Sequence, residues 1–170
     1  MNRLAAGMVF TAQGIPFFLS GEEFARTKPI EGTDEVSENS YNLPFYTNNM
    51  RYDRLVKYMD LYEYYKGLIA FRKAHEGLRF ATTEEVCEHL HFVDDLPKNV
   101  VAFTVKTEEE TLFVAYNANR EVVTIDLPEK ADWAICIDND KASTEALRTL
   151  TEADETVDVQ AVACLVAVAK

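Results

Sequence analysis

The sequence has few cysteines, few positive charges and no long apolar run, and each shortage argues against a class of protein. Cys87, Cys136 and Cys164 form no Cys-x-x-Cys pair, so we expect buried thiols rather than disulfides or a zinc site. A net charge of -12 disfavours nucleic acid and anionic membranes, because both require a positive surface. No apolar run approaches the ~20 residues that span a bilayer. We therefore expect no nucleic-acid partner, no membrane partner and no metal or other cofactor.

The N-terminal stretch MNRLAAGMVFTAQG superficially resembles a signal peptide, since Arg3 precedes a run of apolar residues. It lacks a small-x-small cleavage site, and apolar residues return directly after Gly14. We interpret this stretch as a structural segment. That interpretation favours a cytoplasmic location and leaves export open.

The composition changes near residue 80. A hydrophobic content of 48% is enough for a packed core, and 170 residues fit one domain or one domain with a piece of another. Residues 1–80 hold 10 acidic and 10 basic side chains, whereas residues 81–170 hold 19 acidic and 7 basic ones. Of the 19 aromatic residues, 14 lie before residue 81. This shift predicts two domains, 1–80 and 81–170.

The second half has the pattern of antiparallel β-structure. Short segments rich in Val, Ile, Phe and Thr alternate with turns, and they lie at residues 100–106, 111–117, 121–127, 133–138 and 162–168. The pattern predicts a meander or a sandwich. Residues 139–156 are polar and poor in β-branched residues, so we expect a loop with one helical turn there.

The first half has a different pattern of apolar residues. Apolar residues recur every three or four positions from Leu55 to Arg72, which predicts an amphipathic helix closed at 75–77. Leu4 to Ala12 suits a buried helix, and Ile15 to Ser20 suits a buried strand with Pro16 at its start. Such an order is typical of a parallel α/β sheet, but no second parallel strand is visible. The first 80 residues therefore resemble the end of a larger α/β domain.

Four linked motifs in the first half resemble a known family. QGIPFFLSGEEF resembles the eighth barrel strand of α-amylase-type glycoside hydrolases, and ARTK followed by NSYN narrows the resemblance to type I pullulanases and their debranching relatives. YYKGLIAFRKAHEGLRF resembles the last barrel helix of the same group. The resemblance implies an α+β chain: the last strand and helices of a (β/α)8 barrel, followed by an antiparallel β-sandwich. Phe45 and Tyr52 stand where that pattern has Asp and Trp, so the sugar-contacting part of the loop is expected to differ.

The resemblance also implies a function. The complete enzyme would hydrolyse α-1,6-glucosidic bonds of pullulan, glycogen or starch. Its catalytic carboxylates would lie upstream of Met1, so we expect the chain alone to be inactive and to contain no catalytic residue. Glu22 and Glu23 would point to opposite faces of a strand and would not converge on one bond. We expect Glu23 to accept hydrogen bonds at the barrel mouth instead.

The resemblance places six candidate substrate-binding residues in the loop after this strand: Glu23, Arg26, Lys28, Asn39, Tyr41 and Asn48. The alternative is that these side chains only pin a long loop in place. An exposed apolar segment near Ile15 would also lead the chain to self-associate or to pack against the missing part of the barrel.

Other candidate residues have simpler explanations. His89 and His91 suit a metal pair on one strand face, but a surface pair is the better interpretation because no third ligand follows. His75 is expected to lie in the cap region of a helix. Trp133 is expected in the sandwich core. In the alternative function, a non-enzymatic glucan-binding or interaction module, Trp133 and the tyrosine-rich first half would stack on sugar rings.

Overall fold

The computed structural model describes all residues from 1 to 170, which group into two compact units. One unit comprises Met1–Phe17 and Glu63–Lys170, and the other comprises Phe18–Tyr62. The two units are defined by spatial contacts and do not test the predicted domain boundary near residue 80, which remains a prediction. None of the helices combines the length and the apolar character of a bilayer span.

Five α-helices and two short 3-10 helices account for the helical structure. The α-helices are α1 (Asn2–Thr11), α2 (Phe45–Asn48), α3 (Asp53–Lys57), α4 (Met59–Ala74) and α5 (Thr83–His89). The 3-10 helices are Glu22–Phe24 and Glu76–Leu78. The predicted helices at 4–12 and 55–72 are confirmed, although Tyr58 separates the second into α3 and α4.

Eight strands form two antiparallel sheets. They are β1 (Leu90–Phe92), β2 (Val100–Lys106), β3 (Thr111–Asn117), β4 (Val123–Asp126), β5 (Trp133–Ile137), β6 (Arg148–Leu150), β7 (Thr156–Val159) and β8 (Ala163–Ala169). Six strands pair in the order β1-β2-β3-β8-β5-β6, and β4 pairs with β7. The predicted antiparallel fold of the second half is therefore confirmed, and the chain as a whole is an α+β protein.

The central strands β3 and β8 are buried along their whole length, because both faces of the large sheet are covered. On one face, Phe113, Trp133 and Leu165 pack in a core with Val157 and other residues of the small sheet. On the other face, α1 lies so close to β8 that a Cβ on Gly7 would come within 2.5 Å of the Cβ of Cys164. Thr11 and Tyr116 add a hydrogen bond of 2.6 Å between helix and sheet. Two-sided burial explains the continuous apolar pattern of these strands.

Arg72 joins α4 to the end of α1. Only 6% of this residue is exposed, and its guanidinium donates to the carbonyl oxygens of Phe10 at 2.8 Å, Ala12 at 2.7 Å and Gly14 at 2.5 Å. The last carbonyls of a helix have no partner within the helix, so a buried cation satisfies them well. Burial and the nearby charge of Arg79 lower the pKa of Arg72, but an arginine side chain stays protonated.

Three local predictions are wrong, and the condition that His89 and His91 lie on one strand is not met. Ile15 to Ser20 forms no strand. All eight strands of the chain pair with one another in the two sheets, so this segment has no neighbouring strand to hydrogen-bond with. Residues 139–156 contain strand β6 instead of a helical turn. Cys87 is exposed, since it lies on α5, which has no buried residue. His89 ends α5 while His91 lies on β1, so the two do not share a strand face.

Candidate functional site

The six candidate residues lie in the unit Phe18–Tyr62, whose loop begins at a tight turn. Gly21 has a φ of 98°, a left-handed conformation that favours glycine, and the 3-10 helix Glu22–Phe24 follows it. The Glu23 carboxylate accepts the backbone N–H of Gly21 at 2.8 Å, which is the backbone hydrogen bond expected of it. Glu22 and Glu23 are on a helical turn and not on a strand, so the argument from opposite strand faces does not apply.

Arg26 and Asn48 meet across the loop. The Arg26 guanidinium donates to the carbonyl oxygen of Ser20 at 3.1 Å and also to that of Asn48. The side-chain amide of Asn48 donates to the carbonyl oxygens of Ser40 at 2.7 Å and Leu43 at 2.9 Å, and its oxygen accepts the Ser40 hydroxyl at 2.9 Å. These bonds involve both the nitrogen and the oxygen of the Asn48 side-chain amide. Arg26 and Asn48 therefore hold the loop in shape.

Within the segment between these two residues, the stretch from Lys28 to Ser37 forms a short hairpin. Pro29 and Val36 form an isolated antiparallel bridge, and the backbone N–H of Ser37 donates to the carbonyl oxygen of Lys28 at 2.8 Å. Thr33 closes the tip, because its hydroxyl donates to the Ile30 carbonyl at 3.1 Å and accepts the Glu35 N–H at 3.2 Å. The long loop thus has defined structure without long strands or helices.

Asn39 and Tyr41 follow the hairpin in sequence and are exposed, and Tyr41 has 83% of its surface exposed. Neither side chain makes a hydrogen bond within the chain, and the same is true of the Lys28 ammonium group. Phe45 and Tyr52 are also exposed. The structure therefore brings Arg26 and Asn48 together, while Asn39 and Tyr41 face solvent and Lys28 is half-buried.

His75 is a residue whose setting the sequence did not reveal. Its backbone precedes the 3-10 helix Glu76–Leu78, as the cap-region prediction has it, but its ring is buried. Its Nδ1 lies 2.7 Å from a carboxylate oxygen of Glu110, and its ring centroid lies 4.0 Å from that of Phe71. The His75–Glu110 contact spans 35 positions, so no local pattern indicates it.

Trp133 cannot serve as a sugar-stacking platform. Its exposed fraction is 0%, its ring packs against Phe113 at a centroid distance of 6.0 Å, and its Nε1 donates to the carbonyl oxygen of Glu129 at 3.2 Å. The prediction of a core tryptophan is confirmed. A glucan-binding module that depends on this ring is therefore excluded.

Two of the cysteines are buried, as expected. Cys136 lies on β5 and Cys164 on β8, and burial raises the pKa of both thiols, so they stay protonated. No group of three or more His, Cys, Asp or Glu side chains has an arrangement that would hold a metal ion.

Comparison with known proteins shows that this chain is similar to α-glucan debranching enzymes. Residues 86–141 match the family model described as "Pullulanase, all-beta domain". The pullulanase of Bacillus subtilis (strain 168) is 30% identical over 142 residues, which cover 81% of this chain and 19% of that protein. A chloroplastic isoamylase of Zea mays is 30% identical over 144 residues, which cover 78% of this chain and 18% of that protein. The chain is thus homologous to pullulanases and isoamylases, and it spans about a fifth of their length.

Solved structures show the same relationship over nearly the whole chain. The pullulanase of Bacillus acidopullulyticus superimposes with a TM-score of 0.86 at 30% identity, covering 98% of this chain and 20% of that one. A Paenibacillus barengoltzii pullulanase variant complexed with maltotetraose has a TM-score of 0.79 at 32% identity, covering 99% of this chain and 25% of that one. The likeness therefore includes the helices and the loop as well as the β-sheets.

Proposed function

We propose that residues 1–170 correspond to the C-terminal part of an α-glucan debranching enzyme that hydrolyses α-1,6-glucosidic bonds in pullulan, glycogen or starch. The observation that carries this proposal is the likeness to pullulanase structures over 98% of the chain at 30% identity. The maltotetraose complex of the Paenibacillus barengoltzii relative supports an α-glucan as ligand. In this proposal the chain supplies structure and part of a binding surface.

The first 80 residues would be the last strand and helices of a (β/α)8 barrel, and residues 81–170 the sandwich that follows it. The exposed segment at Ile15 and Phe17 supports the barrel part of this proposal, because 96% of the surface of Ile15 and 92% of that of Phe17 is exposed. Monomeric soluble proteins rarely leave such apolar residues together in solvent. In the complete enzyme, Ile15 to Leu19 would pair with neighbouring barrel strands.

The chain alone is expected to lack hydrolytic activity. Retaining glycoside hydrolysis requires two carboxyl groups roughly 5–5.5 Å apart on either side of the scissile bond. Glu23 is held by the Gly21 amide at a turn, which suits a role in shaping the loop. Glu22 is exposed beside it without a hydrogen-bonding partner that would fix it as an acid or a nucleophile.

Within the loop we assign two roles to the six candidate residues. Glu23, Arg26 and Asn48 shape the loop through the hydrogen bonds described above. Lys28, Asn39 and Tyr41 contact the glucan, since their side chains are free to bind hydroxyl groups or to stack on a sugar ring.

Tyr41 provides the test of this loop. In a chimera of the Bacillus subtilis pullulanase that carries this chain in place of its matching segment, Tyr41→Ala is expected to raise KM for pullulan about tenfold, which equals ~1.4 kcal/mol of binding. The melting temperature should not change, because the ring is 83% exposed. Val36→Ala, an exposed change in the same loop, is the control and should alter neither quantity. An unchanged KM for Tyr41→Ala would refute its contact with glucan.

The chain is also expected to self-associate through Ile15 and Phe17 when the rest of the enzyme is absent. Sedimentation velocity should show larger species as concentration rises. The double change Ile15→Ser and Phe17→Ser should return the chain to a monomer without altering its circular dichroism, since both side chains are exposed. A wild-type chain that stays monomeric over the same concentration range would contradict this proposal.

A further inference from the structure

A cavity of about 350 Å³ lies on the face of the large sheet opposite to the core that contains Trp133. Its floor is a row of cross-strand neighbours, because Val168 of β8 pairs with Ala134 of β5, which in turn pairs with Thr149 of β6. Directly paired residues of a sheet project from the same face. Neither Ala134 nor Val168 belongs to the core around Trp133. The cavity is therefore a feature of the opposite face, and its volume suits a small molecule.

His75 lines this cavity, and its ring is held in place by two neighbours. Only 8% of the residue is exposed, its Nδ1 lies 2.7 Å from a carboxylate oxygen of Glu110, and its ring centroid lies 4.0 Å from that of Phe71. The other ring nitrogen, Nε2, has no hydrogen-bonding partner within the chain and is not fully enclosed. Because His75 lines the cavity, the accessible Nε2 faces it. A buried side chain thus presents an unpaired polar atom to a ligand.

The contact with Glu110 determines what Nε2 of His75 can bind. An ionised carboxylate only accepts hydrogen bonds, so Nδ1 carries a proton and donates to Glu110. On a neutral ring Nε2 is then an acceptor, and on a charged ring it is a donor. A hydroxyl group suits both states, since it can donate to a bare nitrogen or accept from an N–H group. The ring therefore favours a ligand that carries a hydroxyl group.

The rest of the lining favours a neutral molecule with an aromatic ring. The methyl groups of Ala134 and Val168 provide apolar contacts, and the Cys136 thiol lines the cavity beside them, where sulfur packs well against an aromatic ring. Asp132 and Lys170 contribute one carboxylate and one ammonium group, so these two charges of the lining cancel. The side chains do not form a metal-binding group. The small volume leaves room for a single ring with few substituents.

We propose that this cavity binds a small neutral phenol. The phenolic hydroxyl bonds to Nε2 of His75, and the ring lies on the floor of Ala134 and Val168 beside the Cys136 thiol. All of the lining residues belong to the unit that comprises Met1–Phe17 and Glu63–Lys170. The site is therefore separate from the candidate glucan-binding loop, and the inference does not depend on the proposed function.

Titration of the ¹⁵N-labelled chain with phenol tests the site. At a concentration on the order of 10 mM, which would nearly saturate a Kd of about 1 mM, the amide signals of residues 132–136, 144–149 and 168–170 should shift, together with the Nε2 signal of His75. Anisole, in which a methyl group replaces the phenolic proton, should bind at least tenfold more weakly. His75→Gln should also weaken phenol binding at least tenfold. His91→Gln, the same change at an exposed histidine, is the matched control and should bind as the wild type does.

Four results would overturn the inference: no shift at the cavity, equal binding of anisole, tighter binding of benzoate than of phenol, or undiminished binding by a folded His75→Gln variant. If that variant does not fold by circular dichroism, the comparison of phenol with anisole on the wild-type chain decides. Shifts at the cavity with phenol and much weaker ones with anisole would support the inference even if the chimeric pullulanase were folded and inactive. That last outcome would refute only the proposed function.

Discussion

Replacing Trp133 by alanine is expected to lower the free energy of unfolding by about 3–5 kcal/mol, one of the largest losses that a single change in this chain can cause. The side chain is fully buried on β5 and belongs to the core between the two sheets. Alanine would leave a cavity beside Phe113 and would leave the Glu129 carbonyl without its indole donor.

Urea unfolding followed by circular dichroism measures this loss. Trp133→Phe keeps most of the side-chain volume and should lower the free energy of unfolding by only about 1–2 kcal/mol. Val122→Ala, at an exposed position just before β4, is the control and should stay within about 0.5 kcal/mol of the wild type. A loss below about 1 kcal/mol for Trp133→Ala would contradict the core assignment and reopen the possibility of a binding role for this ring.

Replacing Gly67 by alanine is expected to destabilise the chain by about 2–3 kcal/mol, although helix propensity alone predicts the opposite sign. In a helix interior, alanine is favoured over glycine by about 1 kcal/mol. Here a Cβ would lie 1.9 Å from the carbonyl oxygen of Ala142 and 2.6 Å from its carbonyl carbon. The atoms that the new Cβ would clash with belong to the backbone, so either α4 or the segment after β5 has to move.

Ala70 on the same helix is the matched control for this prediction. It is exposed, so Ala70→Gly should cost only the propensity difference of about 1 kcal/mol. Both variants are measured by urea unfolding. If Gly67→Ala raised the stability of the chain, the close packing of α4 against the segment after β5 would be refuted.

The parts of the fold that the sequence predicts well are those with local signals. Strands β2 and β3 occupy the predicted residues 100–106 and 111–117, because an alternating or continuous apolar pattern is bounded by polar turns at both ends. Helix α5 was missed although its signal is present, since Thr82 and Glu85 form a capping box. Strands β1, β6 and β7 have only three or four residues each, too few to show a period.

What the sequence could not predict depends on distant partners. Ile15 to Ser20 has the composition of a buried strand, but composition does not show whether a neighbouring strand exists. The same limit applies to Arg72, whose three carbonyl partners lie about 60 positions away, and to the His75–Glu110 pair. In the loop, the side-chain hydrogen bonds of Glu23 and Asn48 reach partners within eight positions, so these contacts are local in sequence.

The release of reducing sugar from pullulan tests the central claim most directly. The Bacillus subtilis pullulanase in which this chain replaces the matching segment should be folded by circular dichroism and should hydrolyse pullulan, whereas residues 1–170 alone should release nothing. Activity of the chain alone, or a folded chimera without activity, would contradict the proposal that this chain is a non-catalytic part of a debranching enzyme.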